Sequence, residues 1–366
     1  MSEKRYREEQ QYHKAPKKRR RRKKKHSSVL GTVLLTFLAL VLIVGGSLFY
    51  LSHRMLNRIE RVDKSEEVWI APEEAAQEMV VPEEQEEPSE EGTTEERTDT
   101  IIPEDVVWSK PQTVVQKPKI KNILLIGQDR RPGETRARSD SMILCSINEY
   151  KKELTLTSFM RDMYVPFPGN YLPSRMNHSF AWGGMSLLDQ LIEEDFGIKI
   201  DGNVAVDFDS FVQVMDLIAP ISIDLKDYEV WYMNRGTGWG MHEGTNMMNG
   251  EQLLVYARMR HVGQADWERT ERQRYVLGQA FDKVKTLSLK ELTELAETIL
   301  PCITTNMSNA EIMSCIYTVA TNHMSIGETY RIPVEGTYTA EIIYGMDVLV
   351  PDLEANSEFL HRYIYE

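Results

Sequence analysis

Three apolar runs between Asn122 and Asp162 limit this chain more than any other feature. They read NILLIGQDRR, RARSDSMILCSIN and ELTLTSFMRD. Each has strand length, is rich in Ile and Leu, and is bounded by Gly, Pro or polar residues. Each is therefore predicted to be a buried strand. Each also carries charge at one end. Asp129, Arg130 and Arg131 close the first, Arg138, Ser139 and Asp140 open the second, and Arg161 and Asp162 close the third. Side by side in one sheet, these ends bring carboxylates and guanidinium groups to one rim. That chemistry suits a divalent cation and a phosphate: hard carboxylate oxygens for Mg2+, planar arginine forks for phosphoryl oxygens. One polar strand end is what any solvated rim shows. The recurrence at three ends is what points to a site.

Downstream, strands and helices alternate. Strands are predicted at 203–208, 221–225 and 330–334, and helices at 185–196, stopped by Gly197, and at 209–218. Asn249, Ser288 and Ser308 each stand three residues before Gln or Glu, the spacing of a capping box, so each is predicted to start a helix. This alternation predicts a single α-β-α layered α/β domain with a mixed central sheet over 119–366. Residues 226–248 are predicted to be a long loop. Arg258 and Arg260, two apart, share a side only if the chain is extended between them. Asp266 is predicted to start a helix that presents Arg269, Arg272 and Gln273 on one face, as a phosphate site or as a solvated basic face.

The chain of 366 residues has three further parts before this domain. Residues 1–28 are basic, with an unbroken basic run at 17–25, and residues 29–51 carry no charge. Roughly 20 apolar residues span a bilayer as a helix, so 29–51 is predicted to be an uncleaved transmembrane anchor. The basic side stays cytoplasmic, which places the rest of the chain outside, beside the lipid bilayer. Residues 52–118 are rich in Glu and hold most of their prolines at intervals, a composition predicted to give an extended, disordered stalk.

From Lys119 onward Asp and Glu outnumber Lys and Arg by 35 to 23. Such a surface repels polyanions over roughly 8 Å at physiological salt, so no nucleic-acid partner is expected and any phosphate site needs a local concentration of arginine. Cys145, Cys302 and Cys315 lack CxxC spacing, which argues against a structural zinc site; whether Cys302 pairs with Cys315 is left open. The chain has no GxSxG, GxxxxGK[ST] or HExxH motif.

The segments NILLIGQDRR, RARSDSMILCSIN, LTLTSFMRDMYV, MNHSFAWGG, NGEQLLVYARMR and DWERTERQRYVL, in that order, resemble the LytR-CpsA-Psr (LCP) family of Gram-positive bacteria. The resemblance covers roughly 120–366. It implies a Mg2+-dependent phosphotransferase that moves a glycopolymer from a polyprenyl-pyrophosphate carrier to the C6 hydroxyl of muramic acid in peptidoglycan. It assigns Asp129 and Asp140 to the metal, with Asp140, Arg138 and Arg161 catalytic. It assigns Arg258, Arg260, Arg269, Gln273 and Arg130 to the pyrophosphate. Met160 stands where the family has Pro, and Ala219-Pro220-Ile221 where it has Gly-Gly-Val. Two other activities fit the same residues: lipid binding or regulation without turnover, and a pyrophosphatase that uses water. The isoprenoid tail is expected between sheet and helices, against 185–196 and 209–218.

Overall fold

The computed structural model describes residues 54–80, 98–111, 113–128, 130, 136–260, 263 and 266–366. The predicted basic tail and the predicted anchor at 29–51 lie outside the described residues. Among the described residues no helix is long and apolar enough to cross a membrane.

In chain order the elements are β1 (Glu60–Arg61), α1 (Pro72–Val80), β2 (Ile120–Gln128), β3 (Ser139–Asn148), β4 (Glu153–Phe159), β5 (Tyr164–Val165) and β6 (Ser174–Arg175). There follow α2 (His178–Phe196), β7 (Gly202–Asp207), α3 (Phe208–Ile218), β8 (Ile221–Leu225), α4 (Asp227–Asn234), β9 (Gly244–Met248), α5 (Gly250–Arg258) and α6 (Asp266–Val284). The chain closes with α7 (Leu289–Ile299), β10 (Ile303–Thr305), α8 (Asn309–Thr321), β11 (Ser325–Ile332), β12 (Tyr338–Ile343), β13 (Met346–Pro351) and α9 (Leu353–Tyr365).

Seven strands form one mixed sheet in the order β1-β10-β7-β2-β3-β4-β11. The three runs that dominate the sequence lie side by side at its centre, β2 antiparallel to β3 and β3 antiparallel to β4. Successive side chains of a strand face opposite sides, and here both sides are covered. Leu124, Ile126, Met142 and Leu144 pack with α2 and α9. Ile123, Leu125, Cys145 and Ile147 pack beneath α6 and α8. Burial on both faces explains why these strands read as continuous apolar runs rather than as alternating ones.

The three capping boxes form as predicted at the starts of α5, α7 and α8. Gly197 ends α2 in the left-handed conformation at φ 66°, where a Cβ is unfavourable. Other expectations are corrected. Residues 226–248 are not one loop: α4 and β9 lie within them, and β9 pairs with β8 in a separate two-stranded ribbon. The aromatic and Met residues there mostly pack inward, with Met233, Met241 and Met248 in a core shared with α3, α5 and α6.

The stalk expectation also fails for part of 52–118. β1 extends the sheet by pairing with β10. Ala75 and Met79 of α1 enter the main core, and Trp69 packs against it. Glu67 accepts hydrogen bonds from the Met185 and Ser186 amides at 3.0 and 2.7 Å. Those amides open the second half of α2, which is broken at Gly184, so the carboxylate satisfies donors at a positive helix end. Lys64 pairs with the buried Asp189. Net charge averaged over the stretch hid Trp69, Ile70, Ala75 and Met79, whose burial repays the ordering of these turns.

Lys110 makes a similar tie, reaching the fully buried Asp195 carboxylate at 2.7 Å. Burial outweighs this partner and pushes Asp195 up to about 7. The folded value then lies above the unfolded one, so Asp195 contributes stability at acid pH that is lost as pH rises through 7. Asp195→Asn is expected to gain on the wild type in Tm between about pH 5 and about pH 8. A Tm difference that stays flat across that interval would refute this.

Candidate functional site

The site begins with an irregularity in the sheet. Along β2 and β3 the partners run Gly127 with Ser141, then Gln128 with Ser139, so Asp140 is an extra residue on β3. Such a bulge turns a side chain out of the regular alternation and is frequent beside functional sites. On the other side, Met142 pairs with Phe159, so the same register carried past the strand end sets Arg161 opposite Asp140. Their side chains meet: Arg161 Nη1 donates to Asp140 Oδ1 at 2.9 Å. Backbone bonds hold both ends in place, since Asn177 N donates to the Arg161 carbonyl and Ser139 N to the Asn177 carbonyl.

Arg161 joins three carboxylates. Besides Asp140, its Nε lies 3.3 Å from Asp162 and 3.2 Å from Asp266, at the start of α6. Asp266 in turn accepts from Arg269 at 3.2 Å, and Arg260 lies 3.7 Å from Asp140 and 3.8 Å from Asp266. Burial pushes the Asp140 carboxyl up, but Arg161, Arg269 and Arg260 more than offset it and hold Asp140 below its usual value. Burial and Asp266 push Asp162 up despite Arg161, while Arg269 and Arg161 hold Asp266 down against its own burial. Arg269 is only 2% exposed, and burial together with Arg161 lowers it to about 10. Its Nε has no hydrogen-bond partner among the described residues. A buried guanidinium with an unmet donor, beside two more arginines, is a place where an anion is favourable.

An apolar cavity of about 260 Å³ opens beside this set. Its floor is the sheet, through Leu125, Ile143, Val204 and Val206. Its walls are α3, through Phe208, Phe211 and Met215, and α5 and α6, through Leu254, Val276 and Leu277. Polar groups gather at Ser141, Asp207, Arg258 and Gln273, all of which line it. Gln273 accepts from Ser141 Oγ at 3.0 Å, one residue from Asp140. Arg258 lies over the Phe208 ring at 4.2 Å. Arg130 donates to Asp207 at 3.2 Å. Burial raises Asp207, but hydrogen bonds from Ser210 and Arg130 outweigh it and keep the carboxyl below its usual value.

The structure thus brings Asp140, Arg161, Arg260 and Arg269 into one contact set, with Arg258 and Gln273 lining the adjoining cavity and Arg130 paired to its Asp207. α5 ends at Arg258 and Met259 is extended, which is what lets Arg258 and Arg260 both reach this region. Arg138 lies near His178, whose ring is held well below its usual value by burial, Arg138 and Arg175. Asp129 lies outside the described residues. Two expectations are corrected. Arg272 does not join Arg269 and Gln273: it donates to Glu229 at 2.7 Å and to Glu268 at 2.6 Å in the interior. The helix at 185–196 is not a cavity wall, because it packs on the other face of the sheet; α5 and α6 take that place. Asp162 and Asp266 were legible only as a strand end and a helix start. The signal that they belong here was the need of three arginines for more carboxylate than Asp140 alone.

Among the described residues no three His, Cys, Asp or Glu side chains gather to hold a metal. A Mg2+ ion commonly takes one or two carboxylates and fills its shell with water and substrate phosphate. Asp140, exposed enough at 13% to be reached, fits that sparse mode.

Fold and site together define a three-layer α/β protein in which an arginine–carboxylate set stands beside an apolar cavity. The chain belongs to the LytR_cpsA_psr family, whose model matches residues 73–359. It is similar to Regulatory protein MsrR of Staphylococcus aureus, 27% identical over 222 residues, 59% of this chain and 65% of that one. It is similar to the polyisoprenyl-teichoic acid–peptidoglycan teichoic acid transferase TagU of Oceanobacillus iheyensis, 31% identical over 209 residues, 55% of this chain and 62% of that one. The chain thus spans under two thirds of the length of each of these relatives. The fold is shared with YwtF (TagT) of Bacillus subtilis, solved with bound octaprenyl pyrophosphate lipid: TM-score 0.52, 22% identity, 71% of this chain and 99% of that one.

Proposed function

We propose that this protein is a Mg2+-dependent phosphotransferase of the cell envelope. It takes a glycopolymer from a polyprenyl-pyrophosphate carrier and joins it to peptidoglycan at the C6 hydroxyl of muramic acid. The observation that carries this is an apolar cavity with Arg258 on its wall, next to a set of three further arginines, one of them buried with an unmet donor. A lipid with a pyrophosphate head needs both halves. The bound lipid in the YwtF structure and the name of the TagU relative support the reading. Membrane anchoring through 29–51 belongs to the same proposal.

In this reading Arg161, Arg260 and Arg269 bind the pyrophosphate oxygens and Arg258 meets the head at the cavity wall. Asp140, and by the family resemblance Asp129, would hold Mg2+. The ion supplies further neutralisation of phosphoryl charge when bound. The acceptor hydroxyl oxygen attacks the phosphorus that carries the sugar. The bond from that phosphorus to the bridging oxygen breaks, and polyprenyl phosphate leaves with the electron pair. The hydroxyl proton passes to a carboxylate of the set and on to solvent. Positioning and charge stabilisation carry the rate, so no covalent enzyme intermediate is needed.

The test uses the full chain in detergent with a polyprenyl-pyrophosphate saccharide, Mg2+ and short peptidoglycan chains. Mass spectrometry is expected to find a saccharide-phosphate adduct on the glycan. Free sugar phosphate alone would favour the pyrophosphatase. The regulatory names of some relatives favour a second reading, lipid binding without turnover, which intact bound lipid would support. Asp140→Ala is expected to raise the Mg2+ concentration needed for half-maximal rate by roughly tenfold, since one lost ligand contact is worth about 1.4 kcal/mol or more. An unchanged metal titration would remove Asp140 from that role.

A further inference from the structure

We propose that a second cleft, of about 410 Å³ between Trp267 and the β12–β13 hairpin, seats the acceptor as a neutral, hydroxyl-rich saccharide chain. This rests on the transferase reading above and names the other substrate's place in it.

Continuity is the first ground. Asp162 and Asp266 line the cleft, and both lie within 3.3 Å of Arg161. A hydroxyl seated there stands beside the groups that hold the phosphate. The second ground is separation. No residue lines both the cleft and the apolar cavity. The cavity lies over β7, β2 and β3. The cleft lies past the end of β4, beyond the point where Asp140 and Arg161 meet. A lipid donor and a second substrate can thus reach Arg161 from different sides without competing for space.

The third ground is chemistry. The cavity offers aliphatic side chains and arginine. The cleft offers Asp162, Asp266, Glu341 and Asp347 beside Met160, Ile342 and Leu349. Carboxylates accept hydrogen bonds from hydroxyls and repel a second phosphate. Trp267 adds a rigid aromatic surface: the Arg331 guanidinium stacks on its ring at 3.7 Å and the Tyr338 ring packs at 5.1 Å. Apolar sugar C–H faces suit such a surface, while their hydroxyl edges suit carboxylates.

The fourth ground is mechanical. The Leu349 amide donates to the Asp162 carbonyl at 3.0 Å, so the hairpin wall hangs directly on the site. Glu341 is oriented by Thr100, whose hydroxyl donates to it at 2.7 Å. The cleft wall is a fixed extension of the reacting set.

Ala340 lines the cleft and is solvent-exposed, so Ala340→Trp fills it without disturbing the core. With the full chain in detergent, this variant is expected to keep its Tm and its affinity for polyprenyl pyrophosphate. Its KM for peptidoglycan glycan chains stripped of stem peptides and amidated at the freed lactyl carboxyls, which keeps them neutral, should rise roughly tenfold or more, the signature of lost acceptor binding. An unchanged acceptor KM overturns the proposal. Failure of the wild type to turn over donor would sink the transferase reading instead, and calorimetric titration with the stripped glycan then judges the cleft alone. Binding that is lost in Ala340→Trp supports it. Equal binding by both proteins, no binding, or binding only of peptide-bearing chains overturns it.

Discussion

Arg161→Ala is expected to lower glycopolymer transfer by a factor of about 10² to 10³, the usual cost of removing one preorganised donor from a site of developing charge. The effect at this position should reach the upper end. Arg161 meets Asp140, Asp162 and Asp266 as well as the proposed phosphate, so its loss leaves three carboxylates facing the site without their shared cation. Their repulsion then opposes the anionic substrate. These side chains are 13–21% exposed, and partial solvation limits the cost to the fold. Arg161→Lys keeps the charge but loses the fork that reaches carboxylates on two sides, so intermediate activity is expected. Circular dichroism and Tm check folding, and titration with polyprenyl pyrophosphate separates binding from turnover. Near-normal transfer by the alanine variant would take Arg161 out of the reaction.

The second large effect concerns the lipid tail. If the cavity receives it, affinity should climb with isoprenoid length until the space is full, at about 0.8 kcal/mol for each CH₂ buried. Val204→Trp places an indole on the sheet floor of the cavity. It is expected to flatten the dependence on length, and exclusion of one isoprene unit alone costs roughly 3–4 kcal/mol, several hundred-fold in affinity. Titrating wild type and variant with a series of prenyl pyrophosphates measures this. Equal slopes for the two proteins would place the tail elsewhere.

Much of this was legible in the chain because both the sheet and the site use short-range rules. β2, β3 and β4 announce themselves by apolar runs, and the arginine-bearing ends follow from where those runs stop. Capping boxes marked α5, α7 and α8 because a cap is a local hydrogen-bond pattern. What stayed hidden depends on distant partners. The Asp140 bulge exists only relative to Gly127 and Gln128 on the neighbouring strand. The different fates of Arg269 and Arg272, one turned to the site and one to Glu229, depend on which side of α6 meets the sheet. The second half of the cavity wall depends on α5 and α6 crossing β7, β2 and β3. The Glu-rich stretch misled because composition averages over residues, whereas burial selects a few of them.

That last point bears on how the protein can be handled. β1 covers β10, and Glu60 and Arg61 run parallel to Thr304 and Thr305. A fragment cut to begin at Lys119 loses this cover and presents β10 as a bare strand edge, a surface on which copies of the chain can add to one another. It also removes Ala75 and Met79 from the core, leaves buried Asp189 without its cation, and strands the Met185 and Ser186 amides without partners. The natural start of the autonomous folding unit therefore lies upstream of β1, and a trimmed fragment invites self-association in place of activity.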